Sequence, residues 1–170
     1  MKAINSNQTV SPETPEAKHQ VAGHASRHHS PKLILIVDDD QNIRDSLAEV
    51  LRAENYAVRL ADDGDEAVRQ FLQGPPDLIL LDLNMPNLSG WKAFQIMVQL
   101  YPYLPVIVIT ARPDQATRAA RAGIDLLMEK PLDIPSLLEA IRKLLAQPDA
   151  ARFDRVLLAW RTHDHPGSQG

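Results

Sequence analysis

The sequence predicts an α/β fold with a doubly wound parallel sheet. Three runs of four or five consecutive aliphatic residues, at 33–37, 78–81 and 106–109, indicate strands that are buried on both faces. Segments with a helical period separate these runs, which is typical of alternating βα units. Each run ends abruptly in a polar residue, so polar side chains are expected at the carboxyl ends of the strands, where open α/β sheets bind their ligands.

The first half of the chain predicts two strands and two helices. The strand at 33–37 ends in three aspartates, of which Asp40 fits a helix N-cap. A helix then runs from Gln41 to near Asn55 and is followed by a short strand at 57–61. A turn at 62–65 opens a second helix, which ends at the Gly-Pro-Pro of residues 74–76. The predicted buried face of this second helix consists of Ala67, Val68, Phe71 and Leu72.

The second half continues the alternation. An apolar third helix begins near Gly90 and ends at Tyr101-Pro102. The strand at 106–109 leads to Thr110-Ala111, and a weaker, Ala- and Arg-rich helix is predicted at 114–123. A short strand at 124–128 precedes Lys130-Pro131. The fifth predicted helix has an apolar face made of Ile134, Leu137, Leu138, Ile141, Leu144 and Leu145.

Composition bounds the class of protein. The 170 residues suit one domain with a remainder, and the net charge of −4 without a basic run disfavours nucleic-acid binding. The absence of cysteine excludes disulfides, thiolate catalysis and cysteine-ligated zinc. No apolar run predicts a signal peptide or membrane insertion, so a cytoplasmic location is expected. Residues 1–31 are expected to form a disordered tail. Its four histidines (His19, His24, His28, His29) could suggest a metal site, but a solvated tract is the favoured interpretation.

Three aspartates define the candidate site. Asp38 and Asp39 follow the first strand, and Asp82 ends the strand at 78–81. Carboxylates facing each other at the carboxyl edge of a sheet would make an oxygen-rich site suited to Mg²⁺. Asp82 alone could bind a cation, act as a nucleophile or cap the next helix, but Ser89 is better placed for the cap.

The segment Asp82-Leu-Asn-Met-Pro86 resembles the phosphoacceptor loop of bacterial response-regulator receiver domains. The acidic pair Asp38-Asp39, Thr110-Ala111 and Lys130-Pro131 match the family's other sites, so the resemblance covers residues 32–147. It implies a flavodoxin-like (βα)5 sheet with strand order 2-1-3-4-5 and a crevice beside strands one and three. In the family the bond of this Lys-Pro dipeptide is commonly cis, so the resemblance implies a cis peptide bond between Lys130 and Pro131.

The resemblance assigns a role to each matched residue. Asp82 would accept a phosphoryl group from a histidine kinase or a histidine phosphotransfer protein, and Lys130 would pair with a phosphoryl oxygen. Mg²⁺ would be held by Asp39, Asp82 and the backbone carbonyl of Asn84, with Asp38 acting through water. Thr110 and Ala111 would switch the loop after strand four. The chain departs from the family at Leu127, where many receivers carry an aromatic switch residue; Arg112 lies where the family varies its dephosphorylation rate.

The remainder of the chain bears on output. Residues 148–170 are expected to be too few for a DNA-binding output domain, so the chain would be a single-domain regulator or a fragment of a longer one. They contain one predicted helical face, made of Phe153, Val156, Leu157 and Trp160. This extension would either pack on its own domain or serve a homodimer or a downstream protein target. The expected function is a phosphoacceptor that is not an enzyme beyond slow autodephosphorylation. The alternatives are a Mg²⁺-dependent phosphohydrolase with an aspartyl-phosphate intermediate and a phosphorylation-independent scaffold.

Overall fold

The computed structural model describes residues 30–85, 90–111, 119 and 122–148. Within them, five strands and four helices alternate almost throughout, and all neighbouring strands are parallel in the order β2-β1-β3-β4-β5. This confirms the predicted fold class and strand order. The elements are β1 (Leu33–Val37), α1 (Gln41–Ala53), β2 (Ala57–Ala61), α2 (Gly64–Gln73), β3 (Leu78–Asp82), α3 (Gly90–Leu100), β4 (Val106–Thr110), β5 (Leu126–Glu129) and α4 (Ile134–Ala146).

Two apolar layers cover the two faces of the sheet. Because side chains alternate along a strand, Leu35 of β1 packs with α2 and α3, whereas Ile34 and Ile36 pack with α1 and α4. All residues of β3 and β4 are buried, as their continuous aliphatic runs predict. The burial of these two central strands holds their carboxyl ends in place at one edge of the sheet.

The helix ends follow local sequence signals. The side chain of Asp40 accepts hydrogen bonds from the amides of Asn42 and Ile43, which confirms it as the N-cap of α1. The N-cap of α2 is Asp63, whose side chain accepts from the amide of Glu66. The helix α1 ends before Asn55, which adopts a φ of 65°. Each helix therefore begins at the carboxyl edge of the sheet and ends at the amino edge.

The structure corrects the buried face predicted for α2. Gly64, Ala67 and Phe71 are its buried residues, but Leu72 is 66% exposed. The reason is geometric, since Leu72 lies one helical step, 100°, beyond Phe71 and close to the end of the helix. The last strand also begins later than predicted, at Leu126.

Several predictions fall outside the described residues. These are the tail at 1–29, the loop residue Ser89, Arg112, most of the weak helix at 114–123 and the extension from residue 149. Of the residues that the structure does describe, none belongs to a helix long and apolar enough to cross a membrane.

Candidate functional site

Three aspartates meet at the carboxyl edge of the sheet. The register pairs Val37 of β1 with Leu81 of β3, so the next residues, Asp38 and Asp82, are neighbours. One carboxylate oxygen from each of Asp38, Asp39 and Asp82 lies within 4.8 Å of the other two. Asp38 and Asp82 are buried, whereas Asp39 is exposed. The structure therefore brings together the three carboxylates that the sequence singles out, with one of them open to solvent.

Lys130 lies between the two buried aspartates. Its Nζ is 2.7 Å from Asp38 Oδ2 and 2.6 Å from Asp82 Oδ2. The backbone amide of Lys130 donates to the carbonyl of Thr110, and the Lys130–Pro131 peptide bond is cis, as expected. The side chain of Lys130 is 19% exposed, so little solvent competes for its ammonium group. Lys130 thus bridges Asp82, which ends β3, and Asp38, which directly follows the neighbouring strand β1.

Thr110 is joined to the site by a side chain for which the sequence predicts no such role. Thr110 is fully buried at the end of β4, and its hydroxyl accepts a hydrogen bond from Asn84 Nδ2 at 2.8 Å. The backbone amide of Asn84 donates to Asp82 Oδ1 at 2.7 Å. Asn84 therefore contacts both Asp82 and Thr110. The sequence signal for this role is the amide side chain of Asn84, which stands two residues after the end of β3.

Asp38 is held at both its carboxylate and its backbone. Its Oδ1 accepts from the amide of Asp40, and its backbone carbonyl accepts from the guanidinium of Arg44. Sequence reasoning did not single out Arg44. A cation so near a helix N-terminus opposes the helix dipole, and this is the signal by which it could have been found.

Gly90 allows α3 to approach the end of β3. A Cβ atom at this position would lie 2.2 Å from the backbone oxygen of Asp82 and 2.7 Å from the Cα of Leu83. Both distances are far below a van der Waals contact, so any side chain would displace α3 or the strand end that carries Asp82. The sequence marks Gly90 only as a loop residue and helix start; the close approach is visible in the structure alone.

Burial and pairing shift two pKa values in the site. Burial raises the pKa of Asp38, although hydrogen bonds from Lys130 and from the amide of Asp40 oppose the increase. Burial by itself would lower the pKa of Lys130, but hydrogen bonds to Asp38 and Asp82 outweigh it and the pKa of Lys130 is raised. Lys130 is therefore charged at neutral pH, where it offsets the negative charge of its two partners.

The two remaining predicted switch positions differ in environment. Ala111 is exposed directly after β4. Leu127 is half-buried, pairs with Val108 of β4 and packs against the core on the face covered by α2 and α3. The position at which many receivers carry an aromatic ring is thus filled by an aliphatic side chain in contact with the core.

Comparisons with known proteins identify the family of this chain. The family described as "Response regulator receiver domain" matches residues 34–142. The "Response regulator MprA" of Mycobacterium leprae (strain TN) is 39% identical over 122 residues, which cover 69% of this chain and 54% of that protein. The protein of the same name from Mycobacterium sp. (strain KMS) is 38% identical over 117 residues, covering 68% of this chain and 51% of that protein. The chain therefore spans about half the length of these curated relatives.

Solved structures show the same architecture. A response regulator receiver domain protein (CheY-like) from Methanospirillum hungatei JF-1 has a TM-score of 0.65 and 31% identity; the match covers 68% of this chain and 94% of that chain. The response regulator protein TrrA from Thermotoga maritima, in complex with Mg(2+)-BeF, has a TM-score of 0.63 and 33% identity, with 66% and 98% covered. The chain belongs to the response regulator receiver domains of two-component systems, a family of signalling domains.

Proposed function

We propose that Asp82 accepts a phosphoryl group from the phosphohistidine of a histidine kinase or a histidine phosphotransfer protein. The observation that carries this proposal is the contact of a buried carboxylate with a lysine, at 2.6 Å, beside two further aspartates at the open edge of a parallel sheet. A carboxylate oxygen of Asp82 attacks the phosphorus, the new O–P bond forms as the N–P bond breaks, and the imidazole leaves with its electron pair.

The donor set suits Mg²⁺. Carboxylate oxygens from three aspartates within 4.8 Å, one of them exposed, leave room for the waters and phosphate oxygens that this cation prefers. Asp39, Asp82 and the backbone carbonyl of Asn84 would hold it directly and Asp38 through water. When bound, the ion supplies charge stabilisation to the phosphoryl oxygens during transfer.

Lys130 and Thr110 act on the phosphoryl group from the protein side. The ammonium group of Lys130 already lies at Asp82 Oδ2 and pairs with a phosphoryl oxygen once the acyl phosphate has formed. The Thr110 hydroxyl turns to donate to another oxygen and leaves its contact with Asn84. Movement at Thr110 shifts the backbone at the exposed Ala111. This shift alters contacts with a downstream protein or a second copy.

Leu127 changes how this switch is coupled. Its aliphatic side chain packs against the core, so the switch operates through Thr110 and Ala111 without the rotation of an aromatic ring. The acyl phosphate is lost by slow autodephosphorylation, and the domain does not turn over a substrate as an enzyme does. The cytoplasmic location expected from the sequence stays a prediction.

Phosphoryl labelling tests the proposal. The chain is incubated with acetyl phosphate and Mg²⁺, and the intact mass is measured for the wild type, Asp82→Asn and, as a control with an exposed acid beside β2, Asp62→Asn. The wild type and Asp62→Asn should gain one phosphoryl group per chain and Asp82→Asn none. Equal labelling of Asp82→Asn, or steady release of phosphate from organic phosphates without labelling, would contradict it; the second result would instead support the phosphohydrolase alternative.

A further inference from the structure

An apolar patch lies at the amino edge of the sheet, opposite the site. Four large apolar side chains are exposed among the described residues: Leu72 (66%), Leu100 (51%), Tyr101 (49%) and Tyr103 (40%). Leu72 lies at the end of α2, and the other three lie at the end of α3 and in the loop before β4. The ring of Tyr101 is 5.5 Å from that of Phe71, edge to face, so the two helix ends are in contact. We call these four residues the amino-edge patch.

The amino-edge patch carries no charge. The segments that contain it, residues 70–76 and 93–104, lack any Asp, Glu, Lys or Arg. The guanidinium of Arg59 is a charged group that approaches these segments, and it donates to the backbone carbonyls of Gln70 and Gly74. Exposed apolar side chains that lie together on a monomer mark a surface that another element covers. An occupant with an apolar face and no need for a charged partner fits this surface.

The position at which α4 ends identifies an occupant within the chain. The helix ends at Ala146, at the same amino edge, and its C-cap Gln147 has extended backbone angles before Pro148. The six residues from 147 to 152 can span ~20 Å when extended. Packed layers are ~10 Å apart, so this length suffices to cross the sheet from the face covered by α4 to the face covered by α2 and α3. The next residues are Phe153, Val156, Leu157 and Trp160, spaced as one apolar helical face, and they lie outside the described residues.

We propose that the segment 153–160 docks through this apolar face on the amino-edge patch of its own chain. The proposal does not depend on the phosphoacceptor function, because the patch and the site lie at opposite edges of the sheet. The tether favours this occupant over a second copy, since a short linker gives an effective concentration in the millimolar range.

Cross-linking tests the docking, and the cysteine-free chain allows clean labelling. Cysteines are introduced as Gln99→Cys with Ala159→Cys, positions that flank the patch and the apolar face without altering either. The control pair is Ala53→Cys with Ala159→Cys. Ala53 is exposed, ends α1 at the same edge and lies on the other sheet face, close to α4 through the ion pair of Glu54 with Arg142. An undocked segment would therefore reach Ala53 at least as readily as Gln99.

With a short bis-maleimide linker, the Gln99 pair should give an intramolecular cross-link roughly tenfold faster than the Ala53 pair at dilute protein. Adding Leu100→Gln, at an exposed position, should remove this preference while leaving the thermal unfolding midpoint nearly unchanged. Equal rates for the two pairs, a preference that survives Leu100→Gln, or cross-linked dimers in place of the intramolecular product would overturn the proposal. A chain truncated after Pro148 should keep wild-type phosphoryl labelling, which separates this test from that of the proposed function.

Discussion

The two edges of the sheet contain the same kind of ion pair in different surroundings. At the carboxyl edge, Lys130 is 2.6 Å from Asp82, and the side chains are 19% and 6% exposed. At the amino edge, Lys32 is 2.7 Å from Asp77, and the side chains are 51% and 34% exposed. An exposed pair is screened by water and contributes little, whereas a buried charge that loses its partner is costly. Burial, rather than distance, distinguishes the ion pair of the candidate site from the ion pair at the amino edge.

Removing each lysine should give the largest contrast. Lys130→Met leaves Asp38 and Asp82 next to each other without their cation, and should lower the free energy of unfolding by about 3 kcal/mol in the absence of divalent cations. Lys32→Met should lower it by less than about 1 kcal/mol. Urea unfolding of both variants in EDTA measures the difference. Similar losses would show that burial does not separate the two edges.

Two glycines differ in how closely other atoms approach the position that an added Cβ atom would take. Gly90→Ala places a methyl group against the backbone of Asp82 and Leu83 and should cost about 2 kcal/mol, at the level of an overpacked core. At Gly74 the nearest atom to an added Cβ is Arg59 Nη2 at 3.4 Å, an ordinary contact. Gly74→Ala should therefore be tolerated. Thermal unfolding of the two variants tests this, and an unaffected Gly90→Ala protein would mean that α3 does not need its close approach.

Two arginines provide the next contrast. Arg44→Gln removes the guanidinium that bonds the backbone carbonyl of Asp38 and should cost about 1 kcal/mol, with a several-fold weaker Mg²⁺ affinity. Arg69 pairs with Glu66 on the exposed surface of α2, so Arg69→Gln should change neither quantity measurably. Calorimetric Mg²⁺ titration and urea unfolding are the measurements. Wild-type Mg²⁺ affinity in Arg44→Gln would show that Arg44 does not contribute to Mg²⁺ binding.

The smallest predicted effect lies at the start of α4. Donation by the side chain and then by the backbone amide of Ser136 lowers the pKa of the N-cap Asp133 below its ordinary 3.8. A lowered folded-state pKa contributes stability above the unfolded-state value, and this contribution is lost as pH falls through the folded-state value. Asp133→Asn keeps a cap but cannot ionise, so its stability should fall less steeply below pH 3.8. Identical slopes in acid unfolding would contradict this.

The sequence could predict the strands and the polar strand ends because both depend on local pattern. The aliphatic runs of β3 and β4 are buried at every position, and Asp38 and Asp82 meet because parallel strands end at one edge. The exposure of Leu72 could not be predicted, since periodicity defines a helical face but not where the neighbouring layer ends.

The contacts missed at the site depend on distances between elements. The hydrogen bond from Asn84 to Thr110 requires the relative positions of β3 and β4, and the fit of Gly90 requires the approach of α3 to within a few ångströms. No spacing along the chain encodes either distance.

We propose that the aspartates at the carboxyl edge form one Mg²⁺ site, and calorimetric Mg²⁺ titration of variants at two exposed acids tests this. Asp39, whose oxygen lies within 4.8 Å of those of Asp38 and Asp82, follows β1; Asp62 follows the edge strand β2. We expect Asp39→Asn to weaken Mg²⁺ binding roughly tenfold or more and Asp62→Asn to leave it unchanged. Wild-type affinity in Asp39→Asn, or an equal loss in both variants, would show that Asp39 does not share a Mg²⁺ site with Asp38 and Asp82.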